Sequence, residues 1–408
     1  MESVFYAKQK LKKISDLDSK VLYLLFKHSA KLYNEALYLI NKNFEKDNKY
    51  TTYVDVDNYL NHCKDNFQSK NYELLGSSLS LSIIRNLDIN FKNFFSNRKK
   101  EGNLERPTFR DKNFFISIFK SIYSVKDNFI TIPLTRKFRE TYNIPSDYKL
   151  QFYISKNFQK LSFNQIRISQ FNDNNYYLVY HYKKDIIEKK ENNNNYLSID
   201  FGVDNLLSCY PYIHEQNDLT PFIIKGGTIK FINHKNFLYS KMQYERNNNN
   251  FNSEKISKHL QKRNNQIEDY FNKCLKYIIN YCEFYNINTI VCGFFKNIKL
   301  KLVAKSFFYI PYLKLRRKFR DYCLKSGINV YFINESYTSK TSFYDYESAT
   351  KSDDYAGSRV KRGLFKTKEG LRINADINGA AQILTKFINF KINDRENILK
   401  NPIILKIS

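Results

Sequence analysis

The sequence predicts an α/β domain in the C-terminal half, preceded by a small β-domain that a helical insertion interrupts. Three observations carry this. After residue 196, apolar runs of strand length alternate with stretches of helical periodicity. Between residues 16 and 114, apolar residues recur near the helical repeat, and from there to residue 191 short strand-like runs take over.

The chain opens with a short extended stretch and turns helical from about Asp16, where Leu22, Leu25, Ala30, Leu32, Leu37 and Ile40 follow the helical repeat. A second helix runs through Ile83, Ile84, Leu87, Ile89, Phe91 and Phe94 into the basic stretch Arg98, Lys99, Lys100, with a turn at Arg106-Pro107. Short strands then read as Phe129–Ile132, Lys149–Ile154, Gln165–Ser169 and Tyr176–Tyr182. Two four-asparagine tracts, Asn192–Asn195 and Asn247–Asn250, read as solvated loops. The first follows a lysine-rich patch (Lys183, Lys184, Lys189, Lys190) and reads as the linker between the two halves. Beyond it, Tyr196–Phe201, Ile287–Phe294 and Gly327–Asn334 read as buried strands. Pro311 sits where a helix can begin and Gly327 where it can end, with Tyr312, Leu315, Phe319 and Tyr322 facing inward. Lys314, Arg316, Arg317, Lys318 and Arg320 cover its other faces. From Asn374, Ile377, Ala381, Leu384 and Ile388 mark a last amphipathic helix.

Composition narrows the function. At 408 residues the chain has room for two or three domains with proper cores. Its 42 % hydrophobic and 16 % aromatic content excludes a largely disordered protein. Lys plus Arg number 67 against 40 Asp plus Glu, a net charge of +27 that calls for a polyanionic partner, nucleic acid first. The stretch Met1 to Lys13 is charged and lacks the apolar core of a secretory leader. No uncharged apolar run approaches the ~20 residues of a membrane span, so no membrane partner is expected. The six cysteines (Cys63, Cys209, Cys274, Cys282, Cys292, Cys323) form no CxxC pair, which argues for buried free thiols in a reducing interior and against a zinc ribbon.

Three carboxylates stand out by position. Asp200 ends the apolar run Tyr196-Leu197-Ser198-Ile199, Glu335 directly follows the strand ending at Asn334, and Asp376 opens the last helix. Ligands of open α/β sheets gather at strand C-termini, so the three acids can converge. Two carboxylates ~4 Å apart repel by about 4 kcal/mol at an effective dielectric of 20, and a divalent cation relieves this. Magnesium prefers oxygen ligands and brings phosphate oxygens with it, so a basic chain with such a cluster fits phosphodiester hydrolysis. Duller roles fit as well: a helix cap for Asp376 and a surface strand end for Glu335. Asp200 resists that reading, because charge within an apolar strand is costly unless paired or metal-bound. Asp204 reads as a loop residue.

Three ordered segments resemble the transposon-associated TnpB family, the RNA-guided nucleases related to type V CRISPR effectors and to Fanzor proteins. The first is Leu197-Ser198-Ile199-Asp200-Phe201-Gly202-Val203-Asp204-Asn205-Leu206, which resembles the first RuvC motif. The second runs from Ile310-Pro311-Tyr312 through Gly327-Ile328-Asn329-Val330 to Asn334-Glu335-Ser336-Tyr337-Thr338-Ser339-Lys340-Thr341-Ser342. The third joins Arg359-Val360-Lys361-Arg362-Gly363-Leu364-Phe365 to Ile373-Asn374-Ala375-Asp376-Ile377-Asn378-Gly379. A looser match spans Arg85-Asn86-Leu87-Asp88 to Arg106-Pro107-Thr108-Phe109.

The resemblance implies an RNase H-like (RuvC) nuclease domain over 196–408, a β-barrel-like wedge domain split into 1–15 and 115–191, and a helical recognition lobe over 16–114. It implies Asp200 and Asp376 as the first and last catalytic, metal-binding acids. Many members hold the middle glutamate just after the strand in which Gly293 stands here; a Fanzor-like subset relocates it to the segment matching Asn334-Glu335-Ser336, which gives Glu335 that role. Members with a zinc ribbon carry two cysteine pairs between the second and third motifs. Ser342 to Arg372 has no cysteine, so 338–372 is expected to be a metal-free remnant, and no zinc is expected.

The expected cofactor is Mg2+, two ions. The expected partners are a guide RNA from the transposon end and double-stranded target DNA, with base pairing reading the sequence and the protein holding the heteroduplex by its backbone. Candidate nucleic-acid contacts are Arg98, Lys99, Lys100, Arg106, Arg316, Arg317, Arg320, Lys340, Arg359, Lys361, Arg362 and Arg372, although such charge runs equally suit solvated surfaces. The expected location is intracellular, cytoplasmic in a prokaryote and nuclear in a eukaryote or virus. Two rivals stand beside the nuclease: a guided DNA binder whose nuclease has decayed, motivated by Gly293 and the missing ribbon, and a transposase or its accessory protein.

Overall fold

The structure, a computed structural model, describes residues 2–12, 14–61, 69–101, 106–111, 115–172, 175–185, 187–188, 190–214, 219–247, 253–294, 310–388, 399 and 401–407. Cys63, Lys189, Asn248–Asn250 and the side chains of Arg98, Lys99 and Lys100 lie outside the described residues. The chain divides into two compact units, 2–185 and 186–408.

The N-terminal unit begins with strand β1 (Glu2–Lys10), followed by helices α1 (Asp16–Asp47), α2 (Tyr53–Asn61), α3 (Lys70–Leu75) and α4 (Ser77–Glu101). Ser15 starts α1 through a capping box with Asp18, an arrangement worth about 1 kcal/mol, and Asn48 ends it in the left-handed region. Strands β2 (Ile116–Phe119), β3 (Ser124–Lys126) and β4 (Phe129–Ile132) come next. Helix α5 (Arg136–Tyr142) then precedes β5 (Leu150–Tyr153), β6 (Phe163–Asn172) and β7 (Asn175–Asp185). β1 pairs antiparallel with β7, with Phe5 opposite Tyr182, and the sheet order is β1-β7-β6-β2. A second antiparallel sheet is β3-β4-β5. The strand before the helices and the strands after them thus share one sheet, and helices and sheets share one core that includes Leu22, Phe26, Leu87, Phe91, Ile118 and Leu178.

The C-terminal unit is an α/β layer structure. Strands β8 (Tyr196–Phe201), β9 (Asn205–Tyr212) and β10 (Phe222–Lys225) form a meander, followed by the helical pair α6 (Gly227–Arg246) and α7 (Glu254–Phe284). Next come β11 (Thr289–Phe294), α8 (Tyr312–Ser326) and β12 (Asn329–Asn334). A small antiparallel sheet, β13 (Ser358–Lys361), β14 (Leu364–Lys366) and β15 (Arg372–Asn374), leads into α9 (Ala375–Thr385), and β16 (Ile403–Leu405) closes the series. The main sheet has the order β12-β11-β8-β9-β10-β16, with β11 parallel to both β8 and β12. Chain order runs one way from β8 through β9 and β10, then resumes on the other side of β8 with β11. That reversal makes the C-terminal ends of β8 and β11 the crevice where ligands of open sheets bind.

Strand alternation sorts the side chains. Leu197, Ile199, Ile290 and Cys292 pack with α7 and α8, through Phe271, Leu275, Ile278, Leu315 and Phe319. Tyr196, Val291 and Ile333 take the opposite face, with Ile377, Ala380, Ala381 and Ile383 of α9. Five cysteines, Cys209, Cys274, Cys282, Cys292 and Cys323, are buried and free.

Asn192–Asn195 is an irregular loop open to solvent, as expected, and Asn193 and Asn195 donate to the Asn286 carbonyl at 2.6 and 3.2 Å within the C-terminal unit. β12, read as a buried strand, lies at the edge of the main sheet and has no fully buried residue, because only one side of it is paired. On α8 the expected inward face holds, with Leu315 and Phe319 buried and Tyr312 and Tyr322 packed half-buried against the same core, and Cys323 joins them as a further buried position one turn after Phe319. β9, β10, the β13–β15 sheet and α6 were not anticipated. α6 buries only Ile229 and Asn233 among its described residues, so it carries no apolar stripe for periodicity to detect.

Candidate active site

Alternation along β8 puts Asp200 on the same face as Ser198, turned toward α9. Ser198 Oγ donates to the Ala380 carbonyl at 2.7 Å and docks α9 on the strand. Gly379 keeps the close approach possible: a Cβ there would lie 3.1 Å from Asp200 Oδ2. Glu335 continues the alternation of β12 beyond Ile333, so it also points to the α9 face. Just after it the chain turns, with Thr338 Oγ1 donating to the Glu335 carbonyl at 2.8 Å and Tyr337 at φ 71°. Asp376 stands in the first turn of α9. It does not cap that helix, because the Asn374 side chain accepts from the Asp376 and Ile377 N–H groups at 3.0 and 3.1 Å. The Asp376 carboxylate is thereby left to face the sheet crevice.

Asp200, Glu335 and Asp376 line one cavity of about 240 Å³, together with Asn205, Thr338, Ser339, Arg359 and Arg362. Burial, then the Glu335 and Asp376 charges, push the Asp200 carboxyl well above its usual range, while Arg359 opposes them. Burial pushes the Glu335 carboxyl up to about 7. Asp376 is engaged on both oxygens: Arg359 Nη2 donates to Oδ1 at 2.7 Å, and Asn205 Nδ2 to Oδ2 at 2.6 Å. Lys225 Nζ in turn donates to Asn205 Oδ1 at 2.8 Å. Asp204, read as a loop residue, is clamped between Lys230 of α6 and Arg362 of the β13–β14 hairpin.

Gly293 is where a middle acid would have been expected in the strand. A Cβ built there would lie 2.2 Å from Glu335 Oε2 and 2.6 Å from Ile383 Cδ1, so the Glu335 carboxylate occupies the space in front of this glycine.

The donor set suits a hard cation such as magnesium. It consists of carboxylate oxygens, and Glu335 Oε2 is buried with no hydrogen-bond partner among the described residues. Asp200, Glu335 and Asp376 are the side chains that would hold it. Among the described residues, no three His, Cys, Asp or Glu groups are gathered closely enough to grip one ion as they stand; Asp376 is turned to Arg359 and Asn205 instead.

A second cavity, about 210 Å³, shares Phe201, Gly202, Val203 and Glu335 with the first. Its remaining wall includes Phe294, Tyr312, Leu313, Arg316 and Phe332. Burial, and then the Asp200 and Glu335 carboxylates, push the Tyr312 hydroxyl up, so it stays a proton donor beside the acids.

Two family models match the chain: probable transposase OrfB_IS605 over residues 177–299, and the Cas12f1-like TNB domain over residues 312–383. Both matches agree with the resemblance of the three motifs to the TnpB family. Among solved structures, a Cas12f1–sgRNA–target DNA complex is similar at 17 % identity and a TM-score of 0.60, covering 90 % of this chain and 83 % of that one. A CRISPR-Cas12f ternary complex aligns over 90 % of this chain and 82 % of that one, at 16 % identity and a TM-score of 0.34. The first of these likenesses shows that the chain shares its α/β fold with that Cas12f1. No curated protein sequence matches the chain.

The basic candidates fall into separate groups. Arg359 and Arg362 reach the acidic cavity and Arg316 the apolar one. Arg317, Arg320, Lys340, Lys361 and Arg372 are exposed on the C-terminal unit away from both linings. Arg106, on the N-terminal unit, lies over the Phe44 and Phe91 rings at 5.2 and 5.8 Å. Sequence reasoning missed Asn205, Lys225 and Tyr312. Asn205 at least lies within the first motif, whereas Lys225 carries no signal in its neighbours. No helix among the described residues is long and apolar enough to cross a membrane.

Proposed function

We propose that the chain is a magnesium-dependent, RNA-guided DNA endonuclease of TnpB type, with Asp200, Glu335 and Asp376 as its metal-binding catalytic acids. One observation carries the reading: a core strand, the end of a second strand and the first turn of a helix deliver three carboxylates, far apart in sequence, to one cavity of a +27 chain. Two magnesium ions bound there would polarise the scissile phosphate and supply a hydroxide nucleophile. The protein's own part is to crowd Asp200 and Glu335 in a desolvated crevice, so that their charge is relieved only by a proton or a cation. Arg359 and Arg362 flank the acids as phosphate contacts, and Tyr312 keeps its phenolic O–H as a hydrogen-bond donor at the edge of the site.

On this reading residues 16–114 form the recognition lobe, 1–15 with 115–191 a barrel-like wedge, and 196–408 the nuclease, with 338–372 the remnant of a ribbon. A guide RNA from the transposon end supplies sequence reading on double-stranded DNA. Support comes from the likeness to a Cas12f1 solved with guide RNA and target DNA, and from charge: a ~20 bp heteroduplex carries on the order of 40 phosphates, comparable with the excess of 27 cations.

The test uses protein purified with its flanking transcript, matched DNA and millimolar magnesium. Wild type cuts and Asp200→Ala does not; equal cutting by the two overturns the assignment. Guided binding with no cleavage by wild type would favour the decayed nuclease, and strand transfer by this chain alone would favour the transposase.

A further inference from the structure

The apolar cavity beside the acids has a composition that the cutting reaction leaves unexplained. A site that handles only phosphates and ions needs polar walls. Here Phe201, Phe294, Tyr312, Leu313 and Phe332 line a space of about 210 Å³ with aromatic and aliphatic surface. Arg316 forms one side of it, with its guanidinium 3.8 Å from the Phe294 ring centre and 4.5 Å from that of Phe332. A cation–π contact holds the guanidinium by its charge and uses none of its N–H donors. Among the described residues no carboxylate pairs with it, and burial lowers its pKa. An arginine held over two rings without an anion is a polar handle in the wall of an aromatic-lined cavity.

We propose that this cavity receives one unstacked nucleobase of the single DNA strand whose phosphate is presented to Asp200, Glu335 and Asp376. The inference rests on the nuclease reading above and adds a base-binding subsite to it. Three features select this occupant. The slot and the acidic cavity share Phe201, Gly202, Val203 and Glu335, so a base in one and its own phosphate at the other are joined by the sugar alone. A base has flat apolar faces that suit the aromatic wall of Phe201, Tyr312, Phe294 and Phe332, and a polar edge that Arg316, seated over the last two rings, can meet. The net charge of +27 favours a polyanion over a neutral apolar ligand. Anchoring the base holds the strand in register at the acids without reading its sequence, because every base offers a stacking face.

The experiment uses the full chain with its copurified RNA and a short oligothymidylate carrying one 2-aminopurine, in calcium so that the probe survives. Wild type should quench the 2-aminopurine on binding and should hold a matching abasic oligonucleotide about tenfold more weakly, the loss expected for one stacked base. The pair Phe294→Leu with Phe332→Leu keeps the apolar volume but removes the ring faces, and should abolish both effects. Leu313 is 63 % exposed, so Leu313→Glu should leave the fold intact while its carboxylate repels the strand at the slot. If wild type and Leu313→Glu quench alike, or the abasic probe binds as tightly as the intact one, the proposal falls. Cutting of guide-matched duplex in magnesium is scored separately. Stacking lost with cutting intact removes only the subsite, and stacking intact without cutting removes only the nuclease.

Discussion

Gly293 and Glu335 compete for one volume, and the chain gives it to the glutamate. Gly293→Ala places a methyl group 2.2 Å from Glu335 Oε2, so the carboxylate must move. We expect a cost of about 1–3 kcal/mol by thermal denaturation, as for overpacking elsewhere, together with loss of cleavage. Gly293→Glu combined with Glu335→Ala returns a carboxylate to the same space from the other strand, and should recover more cutting than Glu335→Ala alone. Protonation supplies a second prediction. A carboxyl raised from 4.5 to about 7 keeps its proton in the folded state after the unfolded chain has released it. Stability of the metal-free protein therefore falls as pH rises from about 4.5 to 7, by on the order of 3 kcal/mol from Glu335 alone. Melting curves should show Glu335→Gln losing that part of the decline, and saturating magnesium suppressing it in wild type.

At the scale of elements, the β13–β14 hairpin reaches the site through two arginines, Arg359 on Asp376 and Arg362 on Asp204. The Arg362 pair is well exposed, so Arg362→Ala should cost less than about 1 kcal/mol. Its larger effect should appear in binding. If Arg362 contacts a phosphate, the slope of log affinity against log salt for target duplex falls by about 1 in the variant, read by fluorescence anisotropy across a sodium chloride series. α9 is the other element that sets the site. Its N-cap is Asn374, and Asn378 clamps the chain beyond Glu335 by donating to the Thr341 carbonyl at 2.9 Å and accepting from the Phe343 N–H at 2.9 Å. One helix thereby positions two of the three acids, Asp376 directly and Glu335 through the segment it holds. Asn378→Ala should lower cleavage far more than it weakens duplex binding.

For the whole molecule, 27 excess cations make affinity a function of ionic strength. With 6–10 phosphates contacted, raising salt from 50 to 200 mM should weaken duplex binding by roughly 10³- to 10⁵-fold. A far smaller loss would mean that the charge serves something other than nucleic acid. The five described cysteines, all buried, should resist alkylation in the native protein and react on unfolding.

The residue order alone carried β4, β8, β11 and β12 and the striped helices α1, α4, α8 and α9, although α7, whose Ile267, Phe271, Cys274, Ile278 and Cys282 form a buried stripe, went unread. β4 and β8 were legible to the residue, and the limits of α8 followed from Pro311 and Gly327, the latter at φ 67° as a left-handed cap. It also made Asp200, Glu335 and Asp376 legible as candidates, because acids at the ends of apolar runs are anomalous in any fold. It could not supply β9 and β10, whose pairing depends on a meander, or α6, which has no apolar face to read. Tertiary structure alone decided that Glu335 fills the space before Gly293, that Arg359 and Asn205 hold Asp376, and that an aromatic slot opens beside them. The reason is physical: strand alternation fixes which face a side chain takes, but which side chains then share a volume depends on the register and packing of separate segments, from the parallel pairing that sets Gly293 of β11 beside the end of β12 to the contact of Asn205 with Asp376 across 171 residues.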